Sequence, residues 1–145
     1  MRDRVAVLHG VNLDTLGRRP ARHYGTLTLT ELERQVGRFA RELALEAMFF
    51  QTNHEGEFVE ELHKTPEYAD GLVLNPGAWT HYAWSLRDAL EVAGLPAVEV
   101  HLSDVDAREP FRRVSVLQGV VLDRVAGAGV DGYRTALERL KGELA

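Results

Sequence analysis

The chain has no cysteine among its 145 residues. That absence excludes disulfides, a thiolate nucleophile and cysteine-ligated zinc together, and it suits a reducing cytoplasm. Lysine is almost as scarce. Only Lys64 and Lys141 occur, neither at the end of an expected strand, so no lysine is placed to form a Schiff base there. No apolar span reaches the roughly 18 residues of a membrane helix. The opening Met1-Arg2-Asp3-Arg4 leads straight into a short strand with no signal-peptide core, so the expectation is a cytoplasmic protein with no membrane partner. Net positive charge is also missing. A formal charge of −5 argues against a nucleic-acid partner, although a local arginine cluster can still hold a small anion. The six histidines, at 9, 23, 54, 63, 81 and 101, never fall into HExxH or another dense ligand spacing, and no metal is expected.

What is present reads as one domain over 1–145, long enough to bury a core. Val5 to His9 is a short apolar run, and a loop rich in Gly, Arg and Pro follows to about Gly25. Thr28 and Glu31 form a capping box, after which Leu29, Leu32, Val36, Phe39 and Leu43 keep helical spacing to about Leu45. Ala47 to Gln51 is a second strand, and Asn53 is positioned to cap a helix through His63. Leu72 to Asn75 is a third strand, stopped by Pro76-Gly77. Thr80 is positioned to cap a helix to Ala93, Val98 to His101 is a fourth strand, and Gly119 to Val125 a fifth. Tyr133 to Leu144 closes with a helix. This alternation predicts an α/β architecture: a flavodoxin-like, doubly wound, five-stranded parallel sheet with helices on both faces.

The most informative stretch is Ala97 to Arg112. Glu99 and His101 lie two residues apart on a strand, so both side chains leave the same face, with Cα atoms about 7 Å apart. A carboxylate so placed fixes the imidazole tautomer and stabilises its protonated form, which equips His101 as a general acid. Arg108 and Arg112 follow, chemistry suited to an anionic substrate. Polar residues also collect at the other strand ends: Asn12, then Asn53-His54-Glu55, then Asn75, then Leu102-Ser103. Ligands of such folds bind beyond those ends, where helix N-termini present free amides to a carboxylate or phosphate.

The loop Leu16 to Gly25 places Arg18, Arg19 and Arg22 around Tyr24 between two glycines, which reads as a mobile lid over about 11–25. A guanidinium beside a phenol stabilises phenolate and makes tyrosine a usable base. His81 and Asp88, seven residues apart, share one helical stripe. Gly127 to Gly132 matches GxGxxG, but only 13 residues follow it, so the glycines are expected to serve strand–helix packing rather than a dinucleotide.

These residues resemble the type II 3-dehydroquinate dehydratases. The resemblance is carried by LHGVNLDTLGRRPARHYG from Leu8, QTNHEGEFVEELH from Gln51, NPGAWTHYAWSLRDAL from Asn75, PAVEVHLSDVDAREPFRRVS from Pro96, and GAGVDGY ending at Tyr133. It implies dehydration of 3-dehydroquinate to 3-dehydroshikimate by anti elimination through an enolate, without cofactor, in the shikimate pathway or quinate catabolism. In that scheme Tyr24 is the base, held as phenolate by Arg19 and Arg108, and Asn12 positions the dipole that meets the enolate oxygen. His101, oriented by Glu99, protonates the departing hydroxyl. Asn75 and the amides of Leu102 and Ser103 would take the carboxylate, and His81 and Arg112 the ring hydroxyls. Asp88 would reach a neighbouring subunit's site in a homo-oligomer, a dodecamer of trimers. Val11, Pro20-Ala21, Asp106 and Pro110 depart from the family pattern; Pro110 biases Glu109 away from helix, so Arg108 and Arg112 need not keep i,i+4 geometry. The rival expectations are a non-catalytic carboxylate-binding or regulatory homologue with an altered lid, and a nucleotide module using the glycine-rich turn.

Overall fold

A computed structural model describes residues 2–145. Five strands, β1 (Arg4–His9), β2 (Glu46–Gln51), β3 (Gly71–Asn75), β4 (Ala97–His101) and β5 (Asp123–Ala126), form one parallel sheet in the order β2-β1-β3-β4-β5. The helices are α1 (Ala21–Tyr24), α2 (Leu29–Glu42), α3 (Glu55–Lys64), α4 (Trp84–Ala93) and α5 (Asp131–Leu144). This is the flavodoxin-like order, in which the direction of winding reverses between β1 and β3. Among the described residues no helix is long and apolar enough to cross a membrane.

Alternation along the central strands divides the core. Val5, Val7, Val73, Val98 and Val100 face α2 and α5, where they meet Leu32, Val36, Phe39, Leu137 and Leu140. Ala6, Leu8, Leu72 and Leu74 face α3 and α4, against Phe58, Leu62, Leu86 and Leu90. Residues 5–8 are fully buried because β1 is covered on both faces, which explains their unbroken apolar run. Ala97 packs on the α3/α4 side, so Glu99 and His101, two and four residues on, belong to that same face.

Several local expectations are revised. Helix α2 keeps its Thr28–Glu31 capping box but ends at Glu42, short of Leu45. Ala44 adopts φ 58°, and the amides of Ala44 and Leu45 donate back to the carbonyls of Arg41 and Ala40. That is a Schellman turn with alanine where glycine is usual, and it delivers Leu45 into the core. Asn53 does not cap α3. Thr52 stands at that end, its hydroxyl accepting from His54 N at 3.0 Å and donating to Glu57 at 3.0 Å. Thr80 does not cap α4, which begins only at Trp84. Strand β5 starts at Asp123 rather than Gly119, because residues 116–122 form turns and a bend clasped by Arg87, which donates to the carbonyls of Val116 and Gln118. The glycine-rich turn follows β5. A side chain on Gly132 would press on Val125 at 3.3 Å and Val100 at 3.6 Å, so α5 packs closely on the sheet there.

Candidate active site

The cleft opens at the carboxyl ends of β1, β3 and β4, at the point where the winding reverses. His9 and Asn75 are direct partners across β1 and β3. Gly10 continues that contact, its amide donating to the Asn75 carbonyl at 2.8 Å. A Cβ on Gly10 would stand 2.3 Å from the Pro76 carbonyl oxygen, so only glycine lets the two strand ends close on each other. Asn12 then turns through the left-handed region at φ 69°, a conformation asparagine tolerates better than most residues. Its amide donates to Asn53 Oδ1 at 2.8 Å, while Asn53 Nδ2 donates to Asp14 at 3.1 Å. Asn53 therefore anchors the loop that carries Asn12.

The cleft encloses about 150 Å³ and gathers Asn12, Arg19, Tyr24, Asn75, His81, His101, Leu102, Ser103, Arg108 and Arg112 from the expected set. Glu99 lies behind His101. Asp88 does not line it and is exposed on α4. Two arginines converge on one phenol: Arg19 Nη2 donates to Tyr24 Oη at 2.8 Å, and Arg108 Nη1 donates to the same oxygen at 2.6 Å. The Arg19 guanidinium also stacks over the Tyr24 ring, 3.8 Å from its centroid. Pro20 opens the turn of α1 that returns Tyr24 to Arg19, so the Pro20-Ala21 departure leaves this cluster assembled. Pro110 likewise does no harm. Glu109 is extended, as the proline dictates, a 3-10 segment runs over Pro110–Arg113, and both Arg108 and Arg112 still reach the cleft.

On the other side of this constellation, His101 Nε2 donates to Glu99 Oε2 at 2.5 Å. A carboxylate can only accept here, so Nε2 carries the proton and Nδ1 is the ring nitrogen left for a ligand. Glu99 is fully buried. Thr80 Oγ1 donates to its Oε2 and Ser115 Oγ to its Oε1 at 2.6 Å. Burial works against the charged form, yet the bonds from His101, Ser115 and Thr80 outweigh it and hold Glu99 below the usual carboxylate value. His81 stacks on His101 with ring centroids 6.3 Å apart. Its Nδ1 donates to the Val114 carbonyl at 2.8 Å, which leaves Nε2 as an acceptor. Burial pushes the His81 pKa down, favouring that neutral form.

Beneath the cleft, Asn75 Nδ2 donates to Tyr133 Oη at 3.0 Å and its Oδ1 accepts from Gly77 N at 3.3 Å. The remaining Nδ2 proton is a donor of fixed direction. Tyr133 Oη pairs in turn with His9 Nε2 at 2.9 Å. Burial raises the Tyr133 phenol pKa and pushes His9 down to about 4, so both stay neutral.

The sequence passed over Thr80, Ser115 and Tyr133 as site residues, and it marked Asn53 only as a polar strand end. Thr80, Ser115 and Tyr133 are single-hydroxyl side chains with no spacing signature, brought in by packing alone.

The family model described as Dehydroquinase class II matches residues 3–141. The chain belongs to the class II dehydroquinases. A relative from Bacillus licheniformis named 3-dehydroquinate dehydratase is 46% identical over 133 residues, covering 92% of each chain. One of the same name from Syntrophotalea carbinolica is 46% identical over 135 residues, covering 92% of this chain and 91% of that one. Among solved structures, the type II dehydroquinase of Propionibacterium acnes superposes with a TM-score of 0.92 at 38% identity, covering 98% of both chains. A 3-dehydroquinate dehydratase-like protein of Bifidobacterium longum gives 0.71 at 29% identity, covering 99% of this chain and 98% of that one. Membership accounts for the shared fold across nearly the whole of this dehydroquinase chain.

Proposed function

We propose that this chain dehydrates 3-dehydroquinate to 3-dehydroshikimate by anti elimination, with Tyr24 as base and His101 as acid. The observation that carries the reading is the meeting of Arg19 and Arg108 on Tyr24 Oη in the same cleft as the His101–Glu99 pair. In this scheme Tyr24 reacts as the phenolate, its charge met by two cationic donors, and takes the proton alpha to the ketone. The C–H pair becomes an enolate, whose oxygen is met by a dipole or water held by Asn12. Collapse of the enolate forms the ring double bond and expels the hydroxyl, which leaves as water with the proton supplied from His101 Nδ1. Glu99 stabilises the imidazolium before transfer and keeps the ring in its tautomer after it. The substrate carboxylate rests on Asn75 and the amides of Leu102 and Ser103. His81 Nε2 and Arg112 take the ring hydroxyls. His101, His81 and Asn75 each have a polar atom already bonded to the scaffold, which preorganises the donor or acceptor that remains.

A non-catalytic carboxylate-binding homologue is not favoured, because the loop departures leave both the base and the acid clusters assembled. The same reading covers Asp88, assigned to a neighbouring subunit's site, and a cytoplasmic dodecamer of trimers. Its supports are the exposure of Asp88 on α4 and the exposed aromatic side chains Tyr82 and Trp84 at the head of that helix. Light scattering coupled to size exclusion measures the assembly directly. The decisive assay mixes pure protein with 3-dehydroquinate and follows the ultraviolet absorbance of the conjugated enone. A rise that disappears in both Tyr24→Phe and His101→Ala is the expected result, and no rise with the wild-type protein refutes the reading.

A further inference from the structure

One more charged side chain reaches the Glu99–His101 pair, from outside the cleft. Arg124 on β5 stands opposite Glu99 in the parallel register, so the two side chains leave the sheet on the same face as neighbours. Arg124 Nε lies 3.7 Å from Glu99 Oε2, buried and with no acceptor within hydrogen-bond reach. The other end of the guanidinium grips the cleft rim. Nη2 donates to the Arg112 carbonyl at 3.3 Å and Nη1 to the Arg113 carbonyl at 3.5 Å. Arg124 is not part of the catalytic cleft wall; with Glu99 and Ser115 it borders a second cavity of about 300 Å³. A side chain so placed acts on a ligand only through the residues it holds.

We infer that Arg124 is a positioning residue that tunes the Glu99–His101 pair with its charge and fixes the backbone bearing Arg112 with its fork of donors. The inference rests on the reading of His101 as the proton donor. A carboxylate shared between a guanidinium and an imidazolium binds each less firmly than it would bind one, and the guanidinium repels the imidazolium. Arg124 thereby eases release of the His101 proton to the leaving hydroxyl. Other groups face the pair as well. Thr80 and Ser115 are neutral donors to Glu99, His81 stacks on His101, Arg108 and Arg112 line the cleft with His101, and Asp106 lies 3.7 Å from Arg124 Nη1.

The test is the pH dependence of kcat and KM for 3-dehydroquinate in wild type, Arg124→Gln and Arg124→Lys, beside His101→Ala. Arg124→Gln is expected to move the basic limb of kcat upward by about one pH unit and to raise KM several-fold. Arg124→Lys is expected to keep the limb at its wild-type position yet share the raised KM, because an ammonium supplies charge without a planar fork. An unmoved limb in Arg124→Gln, with turnover abolished in His101→Ala, overturns the inference and leaves the acid assignment standing. Turnover that survives in His101→Ala overturns the acid assignment and the inference with it. If Arg124→Gln fails to fold, Arg124→Lys decides alone, since a wild-type KM there overturns the inference.

Discussion

Acid should unfold this protein partly through one histidine that no substrate touches. His9 ends β1 fully buried, with Nε2 paired to Tyr133 Oη at 2.9 Å and Nδ1 buried without a partner. Asn75 already donates to the same phenol oxygen, so the phenol proton goes to His9 Nε2 and the imidazole must stay neutral. Burial lowers its pKa from 6.5 to about 4. As pH falls below 6.5 the unfolded chain takes up a proton that the folded protein refuses, and stability drops until pH reaches about 4. A depression of that size corresponds to about 3 kcal/mol, a large fraction of the ~5–15 kcal/mol typical of a domain. The comparison is His9→Gln, whose amide oxygen still accepts from Tyr133 but does not titrate. Denaturant unfolding at about pH 7 and about pH 4.5, at one protein concentration, gives the loss in each protein. Wild type should lose about 2.4 kcal/mol more than His9→Gln over that interval, since part of the full effect already appears at pH 7 and part lies below pH 4.5. Carboxylate titrations such as that of Glu99 act equally on both proteins and cancel. Equal losses would refute the argument that His9 is held neutral by its surroundings.

Removing the Tyr24 hydroxyl, Tyr24→Phe, should lower kcat by about 10²–10⁴ while thermal unfolding stays near wild type, since the hydroxyl is held by Arg19 and Arg108 rather than by the core. A change of less than tenfold, roughly 1.4 kcal/mol, would assign the base elsewhere. Ala44→Gly should raise stability by about 0.5–1 kcal/mol in denaturant unfolding, because alanine at φ 58° is strained and exposed; no gain would mean the turn relaxes in solution. Gly10→Ala should cost about 2–4 kcal/mol and raise KM, because the new methyl meets the Pro76 carbonyl and parts the strand ends that carry Asn12 and Asn75. Wild-type KM and midpoint in Gly10→Ala would show that the contact is not close in solution.

The strands β1 and β3 were legible because their apolar runs are continuous, as burial on both faces requires, and β4 because Val98 and Val100 alternate with Glu99 and His101. The start of α2 was legible from Thr28 and Glu31, since a capping box is a local contact. Glu99 and His101 were legible as a pair for the same reason, two residues on one strand. The end of α2 was not, because a Schellman turn with Ala44 lacks the glycine that announces it. The caps assigned to Asn53 and Thr80 failed for a different reason. Each side chain found a partner distant in sequence, Asn12 for the first and Glu99 for the second, and satisfying a site residue displaced the local role.

By itself the sequence determined the wound parallel sheet, the Glu99–His101 pair on β4 and the set of polar residues at the strand ends, because periodicity and short spacings are written into the chain. Only the tertiary structure decided that Arg108, 84 residues from Tyr24, shares its hydroxyl with Arg19, that Tyr133 beneath the sheet end aims Asn75, and that Arg124 stands beside Glu99. Those contacts join elements that meet only when the sheet is assembled in register, and no local pattern encodes a register between strands far apart in the chain.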